Sequence, residues 1–169
     1  YAAWRAAERL YKEGRIRAIG VTSFSDERLQ DLFLHNEVKP AVNQIETNPL
    51  FQQKASNKFL KGEGIQHEAW APFAEGQCDI FNNPTLKAIA ANHGKTTAQV
   101  VLRWLNQRGI AVIPKSVRRE RMEENISILD FTLSDVEMEA ISLLDTGRSP
   151  IYDDSDLSVT RYIGTLKIH

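Results

Sequence analysis

Cysteine is almost absent from this 169-residue chain: Cys78 stands alone. That excludes an internal disulfide and any multi-cysteine metal site, and it fits a reducing compartment, so a cytoplasmic location is expected. With no base beside it in sequence, Cys78 is also a poor nucleophile candidate. Charge of one sign is lacking too. The 21 Lys and Arg set against 22 Asp and Glu leave a net charge of −1, whereas chains built around nucleic acid carry a basic excess, so no nucleic-acid partner is expected. No apolar run approaches the roughly 20 residues of a membrane span, and no charged-then-apolar leader opens the chain, so no membrane partner is expected either. The four histidines (His35, His67, His93 and His169) are scattered, and no Ser-His-Asp spacing, paired-carboxylate motif or metal-ligand cluster stands out.

What is present is an ordinary globular composition, 42% apolar and 25% charged. At roughly 100–200 residues per domain the length suggests one domain, able to bury about 70% of its unfolded surface. The first residue is Tyr1 rather than Met, which suggests a processed chain or part of something longer.

Hydrophobic spacing and helix signals divide the chain into alternating elements. Trp4, Ala7, Leu10 and Tyr11 recur at helical spacing before Gly14. Strands are expected near 15–21, 40–46, 65–71 and 110–114. Ser25 is a plausible N-cap, with Leu29, Leu32 and Phe33 on the buried stripe behind it. A weaker helix is expected over Gln53–Lys61. Asn83-Pro84 opens another that stops at Gly94, and Thr96 with Gln99 forms a capping box for the next. The last strand gives way to a short helix. A second capping box pairs Ser134 with Glu137, with a Leu133–Met138 staple. From Thr146 onward the pattern dissolves, so residues 1–148 read as the domain and 149–169 as a C-terminal surface tail.

Short strands alternating with helices indicate a parallel α/β sheet, either an open doubly wound sheet or a TIM barrel. The dinucleotide glycine fingerprint is absent, because His67 stands where Gly62-x-Gly64 would need its third glycine. The informative cluster is Pro114-Lys115-Ser116-Val117-Arg118-Arg119-Glu120-Arg121. Cations, a hydroxyl and backbone amides converge at a helix N-terminus, as a phosphate requires. The competing reading is a solvated face in which Glu120, Glu123 and Glu124 pair with the arginines. Polar residues inside strands form a second signal: Asn43, Gln44 and Glu46, then Gln66, His67 and Glu68. An isolated strand histidine such as His67 is more often structural, whereas Gln44 lies near its strand's functional end. Trp70 ends the third strand, where it could stack on a flat ligand or pack in a core.

Five strings together resemble the aldo-keto reductase family: Gly14–Val21 (GRIRAIGV), Pro40–Glu46 (PAVNQIE), Glu68–Pro72 (EAWAP), Gly94–Trp104 (GKTTAQVVLRW) and Pro114–Asn125 (PKSVRRERMEEN). The resemblance runs from Tyr1 to about Arg148. It implies a (β/α)8 TIM barrel that binds NADP(H) and reduces a small aldehyde or ketone. It also implies roles for named residues. Lys115 and Ser116 would hold the adenosine 2′-phosphate, Arg121 would share it and cover the adenine, and Glu124 and Asn125 would reach the adenine edge. Pro114, Val117 and Arg118 belong to the same cofactor-binding segment. Trp70 would stack on the nicotinamide and Gln44 would bond its carboxamide. Pro72, Phe73 and Ala74 would line the pyrophosphate strap. Thr22-Ser23 stands where the family usually has Ser-Asn, which shortens the reach to the carboxamide.

The family's Asp-x-Ala-x-x-Tyr signature occurs nowhere in the chain. By resemblance the chain is therefore expected to be the C-terminal half of the barrel (strands five to eight). It would carry the cofactor grip without the Asp, Tyr, Lys and His tetrad, and would be inactive unless an N-terminal half-barrel completes it in cis. The alternative is a non-catalytic NADP(H)-binding half-barrel that serves as a binding or assembly module.

Overall fold

Four of the helices start where a capping side chain stands. In the computed structural model, which describes residues 1–151 and 157–165, α1 spans Ala2–Lys12 and α2 spans Asp26–His35, the latter capped by Ser25, whose hydroxyl accepts from the Arg28 amide. Helix α3 runs Lys54–Gly62. Asn83 caps α4 (Pro84–His93), which Gly94 closes in the left-handed region at φ 61°. Both expected capping boxes form: Thr96 with Gln99 at α5 (Thr97–Gln107), and Ser134 with Glu137 at α7 (Asp135–Ser142). Between them lies α6 (Arg119–Ile126). Helix α8 (Leu157–Thr165) stands in the segment expected to be a plain tail.

Four parallel strands form one sheet in chain order: β1 (Val21–Thr22), β2 (Val42–Glu46), β3 (Gln66–Trp70) and β4 (Ala111–Val112). The two central strands match expectation within two residues, but the outer two are much shorter than 15–21 and 110–114. Residues 15–17 form no strand, because the Gly14 and Arg15 amides close the end of α1 on the Tyr11 and Leu10 carbonyls. Past β4, Pro114 has no N–H to give a ladder. Gly20 is required by close approach. A Cβ there would lie 2.3 Å from Val42 Cγ1, which no side chain could share.

Register separates the sheet into two faces, since strand side chains alternate with period two. Val42, Gln44 and Glu46 stand opposite Gln66, Glu68 and Trp70, while Asn43 and Ile45 stand opposite His67 and Ala69. The Ile45/Ala69 face carries the helices. Ile45 packs with Leu29 and Leu60 from α2 and α3, and Ala69 packs with Val101, Trp104 and Leu105 from α5 and with Ile141 from α7. Burying such side chains is worth about 1.5–3 kcal/mol each, so this layer holds the fold together. The opposite face is mostly polar.

Candidate functional site

Two clefts divide the residues singled out from sequence. The first, of about 370 Å³, is lined by Lys115, Ser116, Arg121, Glu124 and Asn125, by Phe73 and Phe81, and by Thr96, Thr97 and Ala98 at the start of α5. It thus joins the loop after β4 to a helix N-terminus and to a pair of aromatic rings 5.5 Å apart. Packing of α6 against α5 holds the walls together. Gln99 donates from Nε2 to the Glu124 carbonyl at 3.1 Å and to the Ser127 carbonyl at 2.9 Å, and the Thr96 hydroxyl donates to the Glu124 carboxylate.

Among the described residues, the only ion pair in the basic segment is Arg119 with Glu123, at 2.8 Å on the solvent side of α6. Lys115 and Arg121, which line the cleft, make none. The solvated-face reading therefore accounts for Arg119 and not for the two cations that meet in the cleft. Amide groups at the start of α5 add partial positive charge to the same wall. Thr96, Thr97 and Ala98 were missed as site residues although the signal was available: a capping box marks a helix N-terminus, and that end favours anions.

Other expected members of this set are placed differently. Ser116 turns its hydroxyl onto its own loop, accepting from the Arg118 amide at 3.1 Å. Val117 and Arg118 are exposed and lie outside the lining of this cleft. Pro114 lines a neighbouring apolar groove with Met122, Ile126 and Leu129, and Asn125 faces both. Pro72 and Ala74 are buried, with Ala74 fully inside the core, and of the three only Phe73 lines the cleft. Beyond them the 74–82 segment is irregular, with Ala74, Glu75, Cys78 and Asp79 at φ near +50°.

The second cleft, about 250 Å³, opens at the C-terminal ends of β1 to β3. Ser23, Glu46 and Trp70 line it together with Asp26 and Ser56. The Ser56 hydroxyl donates to Asp26 at 3.2 Å, and burial raises the Asp26 carboxyl above its ordinary range. Ser23 sits at φ 56°, so its backbone turns sharply as the strand ends. Thr22 donates its hydroxyl to the Gln44 carbonyl at 3.1 Å. Gln44, expected to reach a ligand amide, donates from Nε2 to Glu68 at 2.6 Å across the β2–β3 ladder. That leaves the second Nε2 hydrogen and the amide oxygen of Gln44 for a further partner.

His67 is structural. It is buried on the helix-facing side, with Nδ1 3.0 Å from Asn57 Oδ1 and Nε2 2.8 Å from the Thr47 hydroxyl. Burial, reinforced by the charge of nearby Arg108, lowers its pKa to about 4. Among the described residues no group of three or more His, Cys, Asp or Glu is placed to hold a metal, and no helix is long and apolar enough to cross a membrane.

The sequence pattern of the aldo/keto reductase family matches residues 1–145. The chain belongs to the aldo/keto reductase family. It is 48% identical over 141 residues to glyoxal reductase of Bacillus subtilis, covering 83% of this chain and 50% of that protein. Over 158 residues it is 43% identical to morphine 6-dehydrogenase of Pseudomonas putida, covering 85% and 52%. Among solved structures it resembles a Gox0644 variant in complex with NADPH, at TM-score 0.85 and 36% identity over 98% of this chain and 57% of that one. An aldo-keto reductase of the silkworm Bombyx mori complexed with NADPH gives TM-score 0.80 at 36% identity, covering 85% and 47%. The four parallel strands and their helices are thus part of the family's TIM barrel, and the chain spans about half the length of the curated relatives it matches. One expectation is corrected by these matches: they align the chain with the N-terminal part of its relatives and not with their C-terminal portion.

Proposed function

We propose that this chain binds NADP(H) and serves the reduction of small aldehydes or ketones, with the adenosine 2′-phosphate in the cleft between α5 and α6. The observation that carries it is the convergence of Lys115, Ser116, Arg121, Glu124 and Asn125 on one cleft with the α5 N-terminus. The donor set suits a phosphorylated dinucleotide. Two unpaired cations, a hydroxyl and helix amides meet a phosphate, while Phe73 and Phe81 offer an aromatic wall. Trp70, the last residue of β3, would face the nicotinamide, and the half-committed Gln44 amide, two residues short of the end of β2, would reach its carboxamide. When bound, NADPH supplies the hydride.

Within this scheme Lys115 and Arg121 would supply charge and direction to the phosphate, and the planar fork of Arg121 would suit it for two hydrogen bonds to phosphate oxygens. Trp70 offers a face for the ring and Gln44 an amide for its carboxamide. A small carbonyl compound is the proposed substrate, in a cytoplasmic setting.

Titrating the 169-residue chain with NADPH and NADH by tryptophan fluorescence tests the assignment. Arg121→Ala is expected to weaken NADPH roughly tenfold, on the scale of one charge-assisted hydrogen bond, and to weaken NADH less. Equal losses for both nucleotides would count against the 2′-phosphate assignment.

A further inference from the structure

Glu68 has no role in the scheme so far, yet it stands between the two residues assigned to the nicotinamide. It shares a strand face with Trp70, two residues along β3 and therefore roughly 7 Å away along the backbone, and it is the direct register partner of Gln44. Its carboxylate accepts from Gln44 Nε2 at 2.6 Å. Among the described residues its only hydrogen-bond partner is Gln44, and no cation pairs with it. The β4 residue opposite it is Ala111, which brings no charge, and Gln66 on the same face turns its amide to the Gly109 carbonyl. The nearest carboxylate in the register, Glu46 opposite Trp70, is engaged by Asn48 and Ser149.

We propose that Glu68 sets the redox preference of this site, holding Gln44 in one amide orientation and favouring the oxidised, cationic nicotinamide over the reduced, neutral one. It rests on the cofactor assignment above and extends it. Two effects are separable. The bond to Gln44 removes the twofold ambiguity of an amide side chain, since a carboxylate accepts only from the NH2 end. That effect serves both redox forms alike, because both carry the carboxamide. The charge acts on one form only. If the nicotinamide stacks on Trp70, a half-buried carboxylate within roughly 7 Å of its positive charge, at an effective dielectric between that of a protein surface and that of water, would favour the charged form by roughly 3- to 30-fold. A site that holds the oxidised nucleotide more tightly makes the bound reduced form the better hydride donor.

The experiment is a fluorescence titration of the 169-residue chain with NADP⁺ and with NADPH, read as the ratio of the two dissociation constants. Glu68→Gln keeps an acceptor for Gln44 and removes the charge, so NADP⁺ should weaken roughly tenfold relative to NADPH. Glu68→Asp should retain most of the wild-type ratio. Gln44→Ala should weaken both nucleotides by a similar factor. Glu68→Thr, a β-branched residue suited to a strand, gives the same reading if circular dichroism shows Glu68→Gln to be unfolded. An unchanged ratio, or a shift toward NADP⁺, in the folded neutral variants overturns the role of Glu68 and leaves the cofactor assignment standing. Failure of the unsubstituted chain to bind either nucleotide overturns both.

Discussion

His67 and Glu68 are adjacent in β3 and share a polar character, yet they face opposite sides of the sheet and meet opposite environments. His67 points toward the helices, is 2% exposed and has both ring nitrogens engaged. Because Asn57 Oδ1 only accepts, Nδ1 carries the proton and Nε2 receives the Thr47 hydroxyl. Every polar atom of the ring is thereby spent on the fold. Glu68 points the other way; among the described residues it accepts from Gln44 alone, and no cation pairs with it. The contrast teaches that a polar residue in a strand is not one kind of signal. On the helix-packed face it must be satisfied internally, since an unpaired buried group costs about 1–3 kcal/mol. On the open face it can remain available to a ligand.

The contrast is broken or sharpened by substitutions on each side. The largest effect is expected from the helix-packed layer itself. Leu105→Ala, at a fully buried position, should lower unfolding free energy by about 2–5 kcal/mol in urea titrations. A loss below about 1 kcal/mol would show that this layer does not carry the stability.

His67→Leu is next, at about 1–3 kcal/mol near neutral pH, because Thr47 and Asn57 lose their partner. Its pH profile is more telling. The folded state holds His67 at about 4 and the unfolded chain near 6.5. Below 6.5 the unfolded state binds the proton that the folded state refuses. Stability from this residue is therefore complete above about 6.5 and is lost as pH falls toward 4, by up to about 3 kcal/mol. The difference between wild type and His67→Leu, measured from pH 7.5 to pH 4, should shrink accordingly. Parallel curves would show that His67 titrates normally.

On the open face, Glu68→Gln should change unfolding free energy by no more than about 0.5 kcal/mol while altering nucleotide preference. A large loss of stability would make Glu68 structural as well. Smallest of all is Arg119→Ala on the exposed side of α6. Its pair with Glu123 is largely exposed on both sides, so no measurable shift in Tm is expected.

Much of the fold is legible in local chemistry. Ser25, Asn83, Thr96 and Ser134 each start a helix where their side chains reach the backbone amides, because capping is decided within four residues. The central strands could also be read, since VNQIE and QHEAW lie between clear helix signals. The edge strands were overestimated. Arg15–Arg17 look like strand residues by type, but the end of α1 takes their backbone, and no alternation of side chains reveals that competition. The candidate site was legible as a motif from Lys115 to Asn125, but its far wall was not. Thr96 comes with α5, which packs against α6, and Phe81 comes from the 74–82 segment, whose Phe81 carbonyl accepts from the Thr97 hydroxyl. The resemblance named the family and assigned the wrong portion of its relatives, because motif order within a repeated βα architecture does not fix which strands are present.

By itself, then, the sequence determined the elements: helix starts, the parallel α/β alternation, the basic segment and the family. These rest on contacts within a few residues and on composition, which survive without knowledge of the fold. The tertiary structure alone decided which face each strand residue occupies in company. Register places Glu68 against Gln44 and beside Trp70, sends His67 among the helices, and separates Arg119, paired in solvent, from Arg121 in the cleft. Neighbours in sequence thus acquire different chemistry because alternation turns them to opposite faces, and the partners waiting there come from residues 10 to 24 positions away.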